Sequence, residues 1–351
     1  MEGSRLRGCK YGTHRVIEPK GVLPQAAWRV DNTMVPYDNE ILVDVDTLNV
    51  DAASFTQIKA QAQGDDAEIV RIMLDIVRQR GKHHNPVTGS GGMFIGEVRE
   101  IGRDLMGRVG LEPGDRIASL VSLSLTPLVI DEILEIRKDI DQVKIKGQAI
   151  LFESGIHAKL PGDMPASLAL AVLDVAGAPA QTAKLVRPGD TVLVIGAGGK
   201  SGLLCLYEAR KRAGVTGRVL GMAHSQASLD RVAESGFADR AFAADATRPL
   251  EVFEKVSELT GGRLADITIN CVNIPGTEMA SIMATRDKGI VYFFSMATSF
   301  TSAALGAEGI GKDVTMIIGN GYTEGHAEIA LAALRESPVL MEMFVKRWAV
   351  A

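Results

Sequence analysis

Apolar and polar residues alternate through Ile41-Leu-Val-Asp-Val-Asp-Thr-Leu-Asn49, which predicts a half-buried strand, with a turn or short helix at Asp51 to Phe55. The period then changes. Ile69, Ile72, Met73 and Ile76 share one face of a helix expected over 60–80 and closed by Gly81. Asn85-Pro-Val-Thr-Gly-Ser-Gly-Gly92 has the composition of a loop. Strands are expected at Phe94 to Ile101 and Arg116 to Ser122, the second fed by the turn Glu112-Pro-Gly-Asp115. Asp131 to Val143 reads as a charged, solvated helix with an Ile and Leu stripe. This part of the chain predicts an irregular, β-rich domain.

Beyond residue 165 the pattern becomes regular. Ala166 to Leu185 is Ala-rich and helical, interrupted at Ala178-Pro179. Strands at 191–195, 218–223, 240–243, 267–272, 290–295 and 314–319 then alternate with helices at 228–236, 249–260 and 277–286. Such alternation predicts an α/β fold with a doubly wound parallel sheet, its ligand lying across the carboxyl ends of the strands. The expected organisation is a substrate domain over 1–165, a dinucleotide-binding domain over 166–335 and a short C-terminal return to the first domain over 336–351.

The first strand of that sheet runs straight into glycines: Thr191-Val-Leu-Val-Ile-Gly196-Ala-Gly198-Gly199-Lys200-Ser201-Gly202. Strand, turn and helix pattern follow one another as a pyrophosphate-binding loop requires, so that backbone N–H groups at a helix start face the phosphates. Gly196, Gly199 and Gly202 are expected at the tight turn, the close backbone approach and the helix–strand packing point. Gly199-Lys200-Ser201 imitates a P-loop, but the glycine that motif needs is replaced by Val194. An acid that would hold the ribose hydroxyls of NAD is absent from Gly221-Met-Ala-His224-Ser225 at the second strand's end. Lys200, His224 and Ser225 could donate to a 2′-phosphate, so the reading leans to NADP, with NAD open. His224 and Ser225 could equally cap the next helix.

Composition removes several function classes. The 351 residues are 46% hydrophobic and 23% charged, as in soluble globular proteins, with a net charge of −5 and no basic stripe for nucleic acid. Apolar runs are too short for a membrane span and the N-terminus lacks an apolar signal core, so a cytoplasmic protein is expected. Cys9, Cys205 and Cys271 are scattered and support neither a disulfide framework nor a structural zinc site.

The order of a β-rich domain, Pro-Gly-Asp turn, Ala-rich helix, second Pro-Gly-Asp turn and glycine loop resembles the medium-chain dehydrogenase/reductase superfamily, which implies a GroES-like first domain. Three stretches, Gly8 to Pro24, Asn85 to Met93 and Leu173 to Gln181, resemble the L-erythro-3,5-diaminohexanoate dehydrogenases more specifically. That resemblance implies NAD(P)-linked oxidative deamination of a diamino acid to 5-amino-3-oxohexanoate and ammonia in lysine degradation. It also implies a metal-free mechanism: where zinc-dependent alcohol dehydrogenases carry metal ligands, this chain has Asn49-Val-Asp51 and Gly89-Ser90-Gly91-Gly92. A zinc-independent NADPH quinone or enoyl reductase is the alternative, and a cofactor-binding protein without turnover a third reading. Superfamily analogy further implies a homodimer paired through the strands at 290–295 and 314–318.

A substrate with two ammonium groups and a carboxylate needs acids and donors. The candidate acids are Asp51, Glu153 and Asp174, the last in a helix expected to face the cleft, although each could be a helix cap or a buried pair. For the substrate carboxylate the candidates are Lys10, Tyr11, His14, Arg15, Thr88 and Ser90. Asn270 and Cys271, at a strand end, are expected near the nicotinamide, Ser295 is a further cofactor-binding candidate, and His83 and His84 are expected in solvent.

Overall fold

The computed structural model describes residues 6–89, 91–295, 297–319 and 321–348. The chain divides into two compact units, Met1–Gly162 and Asp163–Ala351.

The first unit carries β1 (Val16–Glu18), β2 (Arg29–Val30), β3 (Glu40–Val50), α1 (Ala52–Gln61), α2 (Asp66–Arg80), β4 (Gly92–Ile101), β5 (Arg116–Ser119), β6 (Leu128–Arg137), β7 (Gln142–Phe152) and β8 (His157–Lys159). β1 and β2 pair with each other, and the remaining six form an antiparallel sheet in the order β6-β7-β3-β4-β5-β8. Val43, Val45, Leu48 and Val50 of β3 meet Phe94 and Val98 of β4, Phe55 and Ile58 of α1, and Ile69 and Met73 of α2 in one core. The helix expected over 60–80 is two helices. Gly64 turns left-handed between them, and Asp65 starts α2 by accepting from the Glu68 N–H.

The helix expected at Asp131 to Val143 is instead the β6–β7 hairpin. Register shifts between Ile130 and Glu132, and again between Ile133 and Glu135, bring Ile130, Ile133 and Ile136 onto the core side. Bulged strands thus place apolar residues three apart, a spacing that imitates a helix.

One ion pair fastens the N-terminal segment to the start of β3. Arg15 and Glu40 are 1% and 0% exposed, and Arg15 Nε and Nη2 donate to the two Glu40 oxygens at 2.7 and 2.6 Å. The remaining guanidinium protons reach the carbonyls of Thr33 and Val35, while His14 Nε2 lies 2.8 Å from Glu40 Oε1. Burial alone would raise the Glu40 carboxyl, but the bonds from Arg15 and His14 outweigh it and hold the group below the usual glutamate range.

The second unit carries α3 (Ala166–Leu173), α4 (Gly177–Leu185), β9 (Thr191–Ile195), α5 (Lys200–Ala213), β10 (Arg218–Ala223), α6 (Gln226–Ser235), β11 (Arg240–Ala243), α7 (Pro249–Thr260), β12 (Ala265–Asn270), α8 (Glu278–Ala284), β13 (Thr285–Phe293), α9 (Phe300–Gly309), β14 (Thr315–Ile318), α10 (His326–Glu336) and α11 (Pro338–Trp348). Its six strands are parallel in the order β11-β10-β9-β12-β13-β14, the doubly wound arrangement of dinucleotide-binding sheets. Val192 and Val194 of β9 face the layer of α5 and α6, while Leu193 and Ile195 face α7 and α8. A strand covered on both faces is therefore apolar throughout.

Two expectations change here. In the segment expected to return to the first domain, the described residues form α11, which packs on α3, α6 and α10 of its own unit, and 349–351 lie outside the described residues. β13 lies inside the sheet, so of the two strands expected at a pairing edge only β14 is at one. Among the described residues no single helix is long and apolar enough to cross a membrane.

Truncating Arg15 leaves a buried carboxylate unpaired. Arg15→Met is expected to cost about 3–5 kcal/mol in urea unfolding. Because the folded Glu40 carboxyl titrates below its unfolded value, its contribution is complete above a free glutamate's ~4.3 and is lost as pH falls below that. Glu40→Gln should remove that part of the acid sensitivity, and an unchanged acid slope would count against the assignment.

Candidate active site

The glycine loop closes β9 against α5 by direct backbone contact. Gly196 has φ +81°, a left-handed conformation suited to glycine. A Cβ at Gly202 would stand 2.2 Å from the Gly196 carbonyl oxygen, and one at Gly198 would stand 2.4 Å from that of Ser228. At Gly199 the nearest atom would be 3.4 Å away, so the close approach expected there belongs to Gly198. Arg231 of α6 holds the turn from behind, donating through Nε to the Gly198 carbonyl at 2.8 Å.

Above the carboxyl ends of β9, β10, β11 and β12 lies a cavity of about 470 Å³. Gly196, Gly198, Gly199, His224 and Ser225, five of the residues proposed from the sequence for the cofactor, line it. Sequence reasoning missed Ser228, Asp245, Thr247, Val272 and Thr277 in the same lining. Their place at or just beyond the ends of β10, β11 and β12 was the available signal.

Several expected donors are already engaged. Ser225 caps α6, its hydroxyl accepting from the Ser228 N–H. Lys200, first residue of α5, donates to Asp174 Oδ2 at 2.6 Å, which brings together a residue expected to bind cofactor and one expected to be catalytic. Ser201 follows on the first turn of α5, half-buried. His224 faces Asp245, whose carboxyl is held low by the Thr247 hydroxyl and N–H and, more weakly, by His224.

The strand-end residues have structural duties. Asn270 donates to the Thr277 and Ser281 hydroxyls at 2.9 and 3.0 Å. Cys271 abuts Gly196, with its sulfur 3.9 Å from that of Cys205. The Ser295 hydroxyl donates to Asn273 Oδ1 at 3.2 Å.

In the first unit the acid and loop residues fall into two groups at opposite ends of β3, separated by roughly 35 Å of strand contour. At the carboxyl end, Asp51 accepts from the Ser54 N–H at the start of α1, and Ser54 Oγ lies 2.7 Å from Thr88 Oγ1. Asn85 folds the loop onto that helix: its amide reaches Gln57 Oε1 at 2.8 Å, and its Oδ1 accepts from the Val87 N–H. Gly92 passes so close to β3 that a Cβ would stand 2.1 Å from the Asn49 carbonyl oxygen. The segments around Asp51 and Gly92, which the resemblance matches to metal-ligand positions, therefore meet. Ser90 lies outside the described residues.

At the other end of β3 the readings need correction. Arg15 and His14 are committed to Glu40 and cannot take a substrate carboxylate without breaking that pair. Glu153 accepts from Asn39 at 3.1 Å, with Arg7 and Arg108 within 4.0 Å, and its carboxyl is lowered, first by Asn39. It is a surface ion-pair partner there, at the end of β3 remote from Asp51. Lys10 is exposed, its ammonium 4.7 Å above the Tyr11 ring. Tyr11 lines a cavity of about 180 Å³ with Pro24, Gln25, Thr126, Phe152 and Ser154 among its neighbours.

His83 and His84, expected in solvent, are not. His83 is 0% exposed and His84 half-buried, and burial brings both imidazoles down to about 4.

Residues 14–161 match the family model described as the L-erythro-3,5-diaminohexanoate dehydrogenase N-terminal domain. A protein of Acetoanaerobium sticklandii named L-erythro-3,5-diaminohexanoate dehydrogenase is 61% identical over 98% of this chain and all of its own length. One of the same name from Fusobacterium nucleatum subsp. nucleatum is 58% identical over 96% of this chain and 98% of its own. Among solved structures, a mycobacterial protein in complex with NADPH is 18% identical, with a TM-score of 0.52, covering 96% of this chain and 89% of that one, a likeness of fold.

The loop geometry separates two of its glycines. Gly202→Ala is expected to lose about 2 kcal/mol or more through backbone overlap, whereas Gly199→Ala should stay within ~0.5 kcal/mol. Equal shifts in thermal melts of the two variants would refute the packing described.

Proposed function

The chain belongs to the L-erythro-3,5-diaminohexanoate dehydrogenase family, and from that premise we propose that it oxidatively deaminates 3,5-diaminohexanoate to 5-amino-3-oxohexanoate and ammonia with a nicotinamide cofactor. The observation that carries the reading is identity near 60% over nearly the full length, joined to a glycine-loop cavity at the strand ends of the second unit. The quinone or enoyl reductase alternative has no support of that strength, since likeness at 18% identity speaks only for the fold. A place in lysine degradation and a cytoplasmic location belong to the same proposal, as do a small-molecule substrate and no nucleic-acid or membrane partner.

The dinucleotide pyrophosphate belongs at the first turn of α5, where Gly198, Gly199 and the following N–H groups face the cavity. When bound, the nicotinamide supplies the acceptor for the hydride of C3. The protein's part is to orient the diamine, take a proton from the 3-ammonium so that its lone pair can form the C=N bond, and admit one water. Oxygen adds to the imine carbon, the nitrogen gains a proton, and the C–N pair departs with ammonia as the hydroxyl proton is released. Asp51, at the loop that Thr88 and Asn85 shape, is the carboxylate assigned to a substrate ammonium. Asp174 acts through Lys200 in setting the charge at the glycine loop.

For the cofactor the assignment is NAD rather than NADP. Two of the three donors suited to a 2′-phosphate are engaged, Lys200 by Asp174 and Ser225 as a cap, and the carboxylate of Asp245 lines the same cavity. A ribose with a free 2′-hydroxyl meets no repulsion there.

Incubation with 3,5-diaminohexanoate should raise absorbance near 340 nm with equimolar ammonia, and kcat/KM with NAD⁺ should exceed that with NADP⁺ at least about tenfold, ~1.4 kcal/mol. Asp51→Asn should lose most of the rate. Silence with both cofactors would sink the function, and a preference for NADP⁺ would sink the cofactor assignment.

A homodimer through β14 is part of the proposal, since this edge strand carries Ile318 at 58% exposure and Phe300 and Leu305 are exposed on the neighbouring α9. Light scattering should return twice 37.4 kDa. A single-chain mass would refute it.

A further inference from the structure

A parallel sheet gathers the openings of all its strands at one end, and in the second unit that is the end opposite the glycine loop. A cavity of about 820 Å³ lies there, larger than the 470 Å³ one at the carboxyl ends. β9, five residues long, puts roughly 17 Å of strand between the two.

The lining of this cavity is cationic. Arg218 and Arg240 open β10 and β11, Arg263 stands just before β12, and Arg286 is the second residue of β13, against two carboxylates, Asp239 and Asp266. Both carboxylates are already matched. Asp266 accepts from Arg286 Nε at 2.6 Å and from the Thr191 N–H at 2.7 Å, and Asp239 accepts from Arg210 Nη1 and the Val219 N–H, both at 2.7 Å. Asp190, within the field of Asp266, accepts from the Arg187 N–H.

That leaves Arg218, Arg240 and Arg263 exposed and, among the described residues, without a carboxylate partner. Two of them are nonetheless held. Arg218 Nη1 donates to the Leu259 carbonyl and Arg240 Nη1 to that of Asp239, each at 2.8 Å. A carbonyl steers a guanidinium without neutralising it, so the charge and further donors remain for an anion. The turn that carries Arg263 is fixed as well: Leu264 holds a left-handed φ of +63°, costly for leucine, and its N–H donates to the Thr260 hydroxyl at 2.9 Å.

Unmatched guanidinium groups around one concavity, in a chain of net charge −5, repel one another and draw anions to that place. Their planar forks suit phosphate oxygens, and three of them call for several negative charges on adjacent groups. The volume falls within the ~300–1,000 Å³ of small-ligand sites.

We propose that the amino end of this sheet is a binding site for an oligophosphate, with Arg218, Arg240 and Arg263 on its oxygens and the half-buried Leu259 and Leu264 as an apolar wall beside it. The site is distinct from the glycine loop, so its ligand and a dinucleotide bind together. It stands independently of the deamination proposed above.

Calorimetric titration of the full-length protein with inorganic triphosphate at ~0.15 M chloride tests this, because exposed charges farther apart than a Debye length are screened there. Saturable binding of one triphosphate per chain is expected, unchanged by saturating NAD⁺ and stronger than that of sulfate or citrate. Arg263→Gln removes a side chain with no hydrogen-bond partner among the described residues, so its thermal melt should match the wild type while triphosphate affinity falls about tenfold or more. Arg240→Gln should weaken binding similarly, whereas Arg29→Gln, which removes an exposed arginine of the first unit, should not. Tighter binding of ATP than of triphosphate would place a base on the Leu259 and Leu264 wall, and equal binding would assign recognition to the phosphate chain alone. No binding, loss of binding in NAD⁺, equal affinity for citrate, or the same response to Arg29→Gln as to Arg263→Gln each overturns the site and leaves the deamination untouched.

Discussion

The second unit depends on one close approach. Because nothing projects from Gly202, α5 begins with its backbone against the Gly196 carbonyl, and the first N–H groups of that helix are delivered to the end of β9. Every other feature of the cavity at the strand ends follows from that placement. Gly198 can lie against α6 at Ser228, Arg231 can reach the Gly198 carbonyl, and the ends of β10, β11 and β12 form the remaining walls. A methyl group at that contact would move the whole helix.

Where one residue and its immediate neighbours determined the outcome, the sequence was readable. Strand, glycines and helix around residue 196 are contiguous, and the alternation that marks β3 is visible in the stretch from Ile41 to Asn49. The doubly wound order follows from chain order under the rules for parallel connections. The match to diaminohexanoate dehydrogenases likewise rested on stretches that could be quoted residue by residue. Legibility ended where distant segments decide. The bulges of β6 disguise a strand as a helix, because register is set by β7 rather than by β6 itself. Arg15 looks like an anion-binding residue until Glu40, twenty-five positions away, is found to claim it. His83, next to Lys82, looks solvated after a helix end. Both are buried because Gly81 docks its backbone on Val30 while its carbonyl accepts from the Leu128 N–H, drawing the following residues inward.

The first unit also separates two kinds of polar burial. At Glu40 a full charge is matched by a guanidinium, a histidine and the Tyr37 N–H, so the group stays ionised and fixes the chain. At Lys82 the partners are carbonyls alone, so the proton is the part that is free to leave. One arrangement spends its polarity on rigidity, while the other leaves a proton exchangeable.

The Lys200–Asp174 pair changes the character of the cofactor loop. A lysine at the head of a phosphate-binding helix would ordinarily act as a mobile point charge, attracting any polyanion and surrounding itself with counterions. Neutralised by Asp174, it leaves oriented backbone dipoles as the main attraction for the pyrophosphate that we propose to bind there. Dipoles of that kind act over a few ångströms and carry no ion atmosphere, so recognition at the proposed site would rest on shape at contact range more than on the salt around it.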